Sequence, residues 1–398
     1  MTQSPDIAVV GAGLIGSAAA RHLAEAGLSV LLLGPGQGNG QQVHASHLDE
    51  ARITRFVGPD PIWAALAREA IGRYADIEQR SGVPFHTPCG HLRIDLPADH
   101  PRSQLDAVRA VAVARPGRAQ EWNPAEAIRR FPALAVSPDA VAYWDPAPAG
   151  LIHPLRLIAA QHKLLQHAGG RHDPSVVHAV RKQGEGFELT DHLGRKHSAR
   201  RVLIATGAYT PRFPLTPQPL ALDVRPETVL LVETPPDLQR QLGDIPGMIW
   251  NFEPQTRGAD RAINSVYILP PVRYPDGKWY LKIGADHDRD QDVSTVERMH
   301  AYMSSPGSAT TAAELRDVVF RLIPALNGSQ TRTKPCLLTY SPHGYPMIDE
   351  VEPGWFVAVA GCGKSAKSSD QSGKLVADLV LGRSWEGFAR SDFRAVHA

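Results

Sequence analysis

The sequence predicts an α/β fold with two domains, and three observations support this prediction. The chain opens with a short apolar strand, a glycine turn, a helix and a second strand, which together form a βαβ unit. Two apolar strands far along the chain, near residues 203 and 357, also run into glycine-containing turns. Finally, 398 residues exceed the usual size of one domain. We therefore expect an α/β chain with two domains.

The βαβ unit begins with a strand over 6–10, which leads into Gly11-Ala12-Gly13-Leu14-Ile15-Gly16. A helix over 17–26 and a strand over 28–33 follow it. The first glycine allows a tight turn, the second lets the backbone approach a pyrophosphate, and the third lets the helix pack on the strand. The helix N-terminus offers free N–H groups to the phosphates. The unit therefore predicts a Rossmann-like dinucleotide site.

One position departs from the dinucleotide pattern. An acidic residue is expected at the end of the second strand, where it would bind the adenosine ribose, and this sequence has Gly34 there. No Asp or Glu occurs between Glu25 and Asp49. The departure makes a conventional NAD site less favoured and leaves open how the ribose is held.

The other elements are predicted from apolar periodicity and from turn residues. Prolines near residue 215 indicate a crossing into another domain, and residues 225–290 are strand-like. The remaining assignments are a loop over 37–49, helices over 62–81, 102–115, 153–168 and 371–381, and strands over 92–96, 187–189, 202–205 and 355–360.

Composition excludes several classes of protein. A formal net charge of +1 supplies no broad basic surface for nucleic acid, and no apolar stretch is long enough to span a bilayer. The three cysteines suit a reducing compartment, and the N-terminus has no secretion signal, so we expect a cytoplasmic protein. The 17 histidines are scattered and predict no metal site.

A segment near the C-terminus favours a different enzyme class. Residues 358–365, Ala-Val-Ala-Gly-Cys-Gly-Lys-Ser, differ from a phosphate-binding P-loop only by Ala358 in place of its first glycine. That glycine is needed for the backbone to surround a phosphate. ATP binding and hydrolysis therefore stay open as a rival hypothesis, although the N-terminal glycine motif already predicts a dinucleotide site.

Several ordered segments together resemble the D-amino-acid-oxidase superfamily of FAD enzymes, and most closely its monomeric sarcosine oxidase and N-methyltryptophan oxidase branch. The resemblance extends over residues 6–390 and includes Ser46-His47-Leu48-Asp49-Glu50-Ala51-Arg52-Ile53-Thr54-Arg55. That family has a Ser-His-His loop and two arginines there, beside the reactive face of the flavin. Leu48 replaces the second histidine.

The resemblance implies FAD as the cofactor and a set of residues that bind it. Val177 resembles the valine that contacts the adenine, and Thr206-Gly207 resemble a second backbone contact. The residues implied to bind FAD are Gly11, Gly13, Leu14, Ile15, Gly16, Ser46, His47, Arg52, Arg55, Val177, Thr206, Gly207, Cys336, Gly361, Gly363, Lys364 and Lys367.

The strand around Lys282 resembles the strand that carries the family's oxygen-activating lysine. Lysine is rare in this chain, at 9 of 42 basic residues, so a lysine at a motif position is informative. A fixed ammonium there would stabilise superoxide as it forms. The resemblance thus implies a catalytic role for Lys282.

Two C-terminal segments complete the resemblance. Lys334-Pro335-Cys336 looks like the segment that holds the family's covalent flavin cysteine. The resemblance thus implies covalent attachment of FAD through Cys336, with a plain buried thiol as the alternative. Residues 361–367 resemble the flavin loop, in which Lys367 takes the place of the lysine that pairs with the substrate carboxylate. Lys364 replaces a histidine of that loop. We expect Arg52 and Lys367 to hold a carboxylate together.

The predicted activity is FAD-dependent oxidation of a C–N bond in a secondary amine or amino acid. Hydride passes to flavin N5, water hydrolyses the imine, and O2 reoxidises the flavin to give H2O2. The resemblance also implies the domain organisation. Residues 1–85, 146–215 and 333–398 form a discontinuous, Rossmann-like FAD-binding domain, and residues 86–145 and 216–332 form a substrate domain with a mixed sheet.

The alternatives are a dehydrogenase that passes electrons to a quinone or partner protein, a flavin subunit of a larger complex, and the ATP-binding reading. Leu48, Leu338 and Lys364 all differ from the sarcosine oxidase pattern, so sarcosine itself is a poor guess. The sequence identifies neither the substrate nor the oligomeric state.

Overall fold

The computed structural model describes residues 4–35, 43–114, 119–253, 263–285 and 291–398 and has the predicted α/β fold. The α-helices of the described residues are α1 (Leu14–Glu25), α2 (Pro61–Ser81), α3 (Leu105–Val113), α4 (Pro124–Arg130), α5 (Pro154–His167), α6 (Pro236–Leu242), α7 (Val296–Met303), α8 (Ala309–Leu322) and α9 (Ser369–Val380).

The strands are short in the N-terminal half and longer after residue 220. They are β1 (Ile7–Val10), β2 (Val30–Leu33), β3 (Arg52–Thr54), β4 (His86–Thr87), β5 (His91–Asp95), β6 (Gln120–Trp122), β7 (Val141–Asp145), β8 (Gly150–Ile152), β9 (Arg171–Asp173), β10 (Val177–Gln183), β11 (Gly186–Asp191), β12 (Lys196–Ala199), β13 (Val202–Ile204), β14 (Asp223–Glu233), β15 (Gly247–Asn251), β16 (Ser265–Arg273), β17 (Trp279–Gly284), β18 (Thr331–Tyr340), β19 (Met347–Glu352) and β20 (Trp355–Val359).

The first large sheet has six strands, in the order β19-β20-β13-β1-β2-β9. Its pairs are parallel except β19 with β20. Alternate residues of β1 face opposite sides: Ile7 and Val9 pack with α1 and α9, whereas Ala8 and Val10 pack with the antiparallel sheet β10-β11-β12. Both faces are therefore covered, which explains the continuous apolar run of the strand.

The helix α1 begins directly after the glycine turn. Its N-cap residue is Gly13, which has no side chain, so no capping side chain occupies the free N–H groups of the first turn. These N–H groups remain available to an anion at the carboxyl end of β1.

An eight-stranded mixed sheet forms the second large unit, in the order β18-β14-β17-β16-β15-β5-β7-β6. Only the β15–β5 pair is parallel among its described pairs. Helix α8 packs against β14 and β17, and Leu315, Val319 and Leu322 enter the core. The mixed sheet expected for the second domain is thus present.

Some sequence expectations differ from the structure. The strand-like stretch 225–290 contains helix α6, and its residues 254–262 and 286–290 lie outside the described ranges, as do residues 37–42 of the predicted loop. Strand β18 runs to Tyr340 in the eight-stranded sheet and so crosses the predicted boundary at residue 333. The division into domains stays a prediction.

Candidate functional site

The glycine turn after β1 requires glycine at two of its positions. Gly11 has a φ of +112°, and a Cβ there would overlap the carbonyl oxygen of Ala205, just beyond β13. A Cβ on Gly16 would overlap the carbonyl oxygen of Gly11. The turn therefore packs against the neighbouring strand and the helix as closely as the dinucleotide motif requires.

Gly13 differs from these two glycines because a Cβ built on it would point into an open cleft that the glycine turn lines. The nearest atom to a Cβ on Gly13 is Nδ1 of His47, at 3.4 Å, which is ordinary contact. A side chain at this position would enter the cleft where the pyrophosphate of a dinucleotide would lie. The predicted cofactor residues that line this cleft are Gly11, Gly13, Leu14, Ile15, Ser46, His47, Arg52, Val177, Thr206, Gly207, Gly361, Gly363 and Lys364.

The structure gives a reason for Gly34 at the end of β2. Its φ is +139°, and a Cβ there would lie 2.8 Å from the backbone nitrogen of Ala12. An acidic side chain cannot occupy this position without moving the glycine turn. The cleft lined by the glycine turn can still hold FAD, but groups other than a side chain at position 34 must bind the ribose.

A second cavity adjoins the cofactor cleft. Ser46, Leu48, Arg52, Leu338 and Lys364 line both, so the two spaces meet at these residues. Three further predicted site residues, Arg55, Cys336 and Lys367, line the second cavity only, and Gly16 lies beneath the turn. The structure therefore divides the predicted cofactor residues between a cofactor cleft and an adjoining cavity.

Lys367 presents a buried ammonium to the second cavity. The residue is 7% exposed, and its Nζ donates to the carbonyl oxygen of Lys364 at 3.0 Å. Burial lowers the pKa of Lys367 well below its ordinary value, and the charges of Arg55 and Lys364 lower it further, although the charge of Asp60 opposes the shift. Among the described residues, no carboxylate lies within salt-bridge distance of this ammonium. The position therefore suits an anion from outside the protein.

Asp49 is a residue that the sequence analysis did not single out, and it joins two that it did. Its Oδ2 accepts hydrogen bonds from Lys282 Nζ and from Arg52 Nη1, each at 2.5 Å. Lys282 also donates to the carbonyl oxygen of Ala51 at 2.9 Å, and Arg52 donates to that of Ser46 at 2.6 Å. Lys282 and Arg52 are therefore brought together by a carboxylate between them.

The charges of Asp49, Arg52 and Lys282 shift one another's pKa values. Burial lowers the pKa of Lys282 to about 8, with a further contribution from the charge of Arg52, although Asp49 opposes the shift. Burial alone would raise the pKa of Asp49, yet Lys282 and Arg52 hold it well below its ordinary value. At neutral pH both members of the Lys282–Asp49 pair are charged.

Arg55 lies away from this group. Its Nη1 donates to the carbonyl oxygen of Val57, and burial lowers its pKa to about 10, with the charge of Arg93 adding to the shift. Arg55 and Lys367 line the same cavity and influence each other's charge. The guanidinium of Arg52, by contrast, already has three acceptors, which are Asp49, Ala51 and Ser46.

Cys336 lies in β18 directly opposite Glu227 of β14 and lines the second cavity. Its Sγ is 4.0 Å from the carbonyl oxygen of Ser46. Burial raises the pKa of the thiol to about 11 even though Arg52 opposes the shift. The thiol is therefore protonated at neutral pH in this setting.

The P-loop-like segment does not have the P-loop arrangement. The turn at 360–368 separates β20 from α9, which begins only at Ser369, so the lysine and serine do not open a helix as they would in a P-loop. Gly361, Gly363 and Lys364 instead line the same cleft as the N-terminal glycine turn. The segment forms a wall of the dinucleotide cleft.

Two other expectations can be compared with the described residues. None of the helices in the described ranges combines the length and apolar character that a membrane crossing requires. Within the described ranges, no three His, Cys, Asp or Glu side chains lie close enough together to hold a metal ion.

Comparisons with known proteins identify the family to which the chain belongs. A family model described as "DAO: FAD dependent oxidoreductase" matches residues 6–379. Monomeric sarcosine oxidase of Streptomyces avermitilis is 28% identical over 411 aligned positions, which cover 96% of this chain and 94% of that protein. Peroxisomal sarcosine oxidase of Mus musculus is 23% identical, with coverage of 94% and 92%.

Solved structures share the fold. NikD, an amino acid oxidase essential for nikkomycin biosynthesis, superposes in its open form with a TM-score of 0.79 at 21% identity, covering 100% of this chain and 98% of that chain. Glycine oxidase from Geobacillus kaustophilus superposes with a TM-score of 0.72 at 20% identity and covers 100% of both chains.

Proposed function

Because the chain belongs to the DAO family of FAD-dependent oxidoreductases, which act on amines or amino acids, we propose that it oxidises the C–N bond of an amino acid whose carboxylate binds Lys367. The family membership confirms the predicted resemblance, the FAD cofactor and the enzyme class. It also removes the ATP-binding hypothesis, since the glycine turn and the 361–364 segment line one dinucleotide cleft.

One observation carries the proposal of a carboxylate substrate. The ammonium of Lys367 is buried in the cavity next to the cofactor cleft and has a carbonyl oxygen, but no described carboxylate, as its partner. A substrate carboxylate would neutralise this charge and add a charge-assisted hydrogen bond. A simple amine would supply no such partner, and the burial that lowers the pKa of Lys367 would then favour its uncharged form.

The second cation for the carboxylate is better supplied by Arg55 than by Arg52, contrary to our expectation from sequence. Arg55 lines the Lys367 cavity and donates to one carbonyl oxygen, so part of its guanidinium remains available. Arg52 already donates to a carboxylate and two carbonyl oxygens at the boundary with the cofactor cleft. We infer that Arg52 acts beside the cofactor and that Arg55 binds substrate.

The residues of the cleft would hold FAD along the glycine turn, the Ser46–Arg52 loop and the 361–364 segment. When bound, FAD accepts a hydride from the carbon next to the amine nitrogen. Lys367 and Arg55 orient the substrate by its carboxylate, and Lys282 and Arg52 keep positive charge at the cofactor end of the cavity. We propose dioxygen as the electron acceptor, with the ammonium of Lys282 stabilising the negative charge that dioxygen gains.

The test compares amino acids with their carboxamides and decarboxylated amines as reductants of the bound flavin. Loss of the carboxylate should lower kcat/KM by about 100-fold, because a buried charge-assisted contact is worth about 3 kcal/mol. Lys367→Met should produce a similar loss with amino acids and little further loss with the amines.

Lys374→Met, in helix α9, is the matched control because Lys374 pairs with Asp378 away from both cavities. Equal rates for amino acids and amines in the natural protein would contradict the proposal.

The dehydrogenase alternative keeps one observation in its favour. The charge of Lys282 is partly neutralised by Asp49 at 2.5 Å, which weakens the attraction that a reduced oxygen species would feel. Anaerobically reduced protein mixed with O2 or with a quinone distinguishes the two. Reoxidation by quinone at least 100-fold faster than by O2 would favour the dehydrogenase.

A further inference from the structure

Three positively charged side chains from different parts of the fold meet at Asp49, where the cofactor cleft joins the second cavity. Asp49 precedes β3 in the chain, Arg52 begins β3, Lys282 lies in β17, and Lys334 lies in β18. Lys334 Nζ is 3.5 Å from Asp49 Oδ1 and donates to the carbonyl oxygen of Leu48 at 2.5 Å. We refer to Asp49, Arg52, Lys282 and Lys334 as the Asp49 cluster.

Asp49 has no acceptor capacity left for a substrate. Its Oδ2 accepts from Lys282 and Arg52, and its Oδ1 accepts from the hydroxyl of Tyr274 and from the backbone nitrogen of Glu50, both at 2.9 Å. A carboxylate offers about four lone-pair sites, and these are engaged. With an exposure of only 4%, Asp49 must act through the groups it binds.

Arg52, Lys282 and Lys334 together carry three positive charges, and Asp49 carries one negative charge. Three cations around one carboxylate leave the cluster with two net positive charges, and Lys282 remains charged at neutral pH. Arg52 lines both cavities, so the cluster faces the place where bound cofactor and substrate would meet. A cluster with a fixed net charge is a fixed contribution to the electrostatic potential at that place.

We propose that Asp49 is a positioning residue that holds Arg52 and Lys282 at the boundary of the two cavities and, through its own charge, limits how strongly this boundary stabilises negative charge on bound FAD. The proposal requires FAD, which family membership establishes, and goes beyond the identity of the substrate. It assigns to Asp49 a function that neither Arg52 nor Lys282 performs alone.

Sulfite provides a test that needs no substrate. Sulfite adds to oxidised flavin through its sulfur lone pair, forms an S–N bond, and leaves the added negative charge on the ring system, so nearby positive charge tightens the adduct. Removing one charge about 10 Å away at an effective dielectric constant of about 20 changes the adduct dissociation constant by roughly tenfold. The spectrum of bound FAD reports the adduct directly.

The expected results form a cycle that is measured at pH 6, because Asp49 raises the pKa of Lys282 and its removal would favour the uncharged form of Lys282 at pH 7. Asp49→Asn should lower the sulfite dissociation constant about tenfold, and Lys282→Gln should raise it about tenfold. The double variant restores the net charge of the cluster, so its dissociation constant should return to within about threefold of the natural protein. A purely structural role for Asp49 would not produce this return.

Two controls keep the test decisive. Asp223→Asn removes an exposed carboxylate that pairs with Arg225 in β14, and it should leave sulfite binding unchanged. If Asp49→Asn does not retain FAD, Lys334→Gln replaces it, because Lys334 is partly exposed, and this change should weaken sulfite binding in the same direction as Lys282→Gln.

The proposal is overturned if Asp49→Asn binds FAD but fails to tighten sulfite, if the double variant does not return toward the natural value, or if Lys282→Gln and Lys334→Gln leave sulfite binding unchanged. Failure to find an amino acid substrate would contradict the proposed function and would leave these sulfite results interpretable.

Discussion

Lys282 loses its charge nearer to neutral pH than an ordinary lysine. Burial, together with the charge of Arg52, lowers its pKa to about 8, so its ammonium deprotonates as the pH rises through that value. If this charge assists the reaction with dioxygen, reoxidation of the reduced protein should slow as the pH increases from 7 to 9 and should be fast below pH 7. Stopped-flow mixing with oxygenated buffer measures this rate.

In Lys282→Met, reoxidation by dioxygen should be at least tenfold slower than in the natural protein at pH 7, and its rate should not depend on pH between 7 and 9. The matched control is Lys278→Met in the turn before β17, since Lys278 is exposed and pairs with Glu233. A Lys278→Met profile that changes as much as that of Lys282→Met would show that the effect is not local to the cofactor.

Cys336 gives a second prediction at this scale, the covalent attachment of FAD. The burial that raises the pKa of the thiol to about 11 means that bond formation requires loss of a proton from a group that holds it tightly. We predict that attachment, if it forms, is slow after FAD is added, and that acid precipitation then leaves yellow colour in the pellet. Cys336→Ala should release all colour to the supernatant.

Colour in the supernatant for the natural protein after prolonged incubation would show that FAD is not covalently bound. Cys89→Ala provides the matched control, because Cys89 lines neither cavity.

The sequence indicated most of the single residues of the site, but not how they pair. Motif positions indicated Ser46, Arg52, Lys282 and Lys367. In the structure, Ser46, Arg52 and Lys367 line the two adjoining cavities, whereas Lys282 lines neither and reaches them only through its contact with Asp49. Asp49 lies within the same motif, yet its partner Lys282 is 233 positions away. No local pattern encodes such a contact, since it depends on the register between β17 and the loop before β3.

At the scale of elements, the turn after β2 explains how this chain departs from the dinucleotide pattern. Gly34 has a positive φ, and a Cβ would lie 2.8 Å from the Ala12 nitrogen. Gly34→Asp, which restores the residue type expected by the motif, should therefore weaken FAD binding at least tenfold instead of strengthening it. Titration of apoprotein with FAD, followed by fluorescence, measures the affinity.

Gly27→Asp is the matched control, because Gly27 also has a positive φ, +93°, but no atom lies within 4 Å of its added Cβ. It should cost stability without changing FAD affinity. Tighter FAD binding by Gly34→Asp would contradict the steric explanation.

The elements that the sequence predicted well are those with a strong local signal. Strand β1, helix α1, helix α2 and strand β20 lie within three residues of their predicted bounds. Helices α7 and α8 were missed, since no helix or strand was predicted within residues 291–332. The caps that start them, Thr295 and Ser308, were the available signals.

At the scale of the whole molecule, one buried carboxylate links four helices. Asp370, in the first turn of α9, is fully buried and accepts from Arg21 of α1 and Arg73 of α2, both at 2.6 Å, and from Gln161 of α5 at 3.0 Å. Burial alone would raise its pKa, but contacts with His22 and the two arginines hold it well below its ordinary value.

Asp370→Asn should therefore lower the free energy of unfolding by about 3–5 kcal/mol, because two arginines would lose their buried countercharge. Thermal unfolding of the FAD-loaded protein measures the loss. Asp106→Asn, at an exposed pair with Arg109, should cost less than about 1 kcal/mol. Equal costs for the two changes would show that Asp370 is not a link between the helices.

The order of strands in the six-stranded sheet also has a consequence for biosynthesis. The glycine turn after β1 packs on Ala205, β13 pairs in turn with β20, and the cofactor cleft is closed by the 361–364 segment. During translation, the fingerprint glycines leave the ribosome long before the strand and loop that complete their cleft. The N-terminal βαβ unit therefore lacks one wall of its cofactor cleft until residues 361–364 have been synthesised and folded. The complete contact surface for FAD forms only after that step.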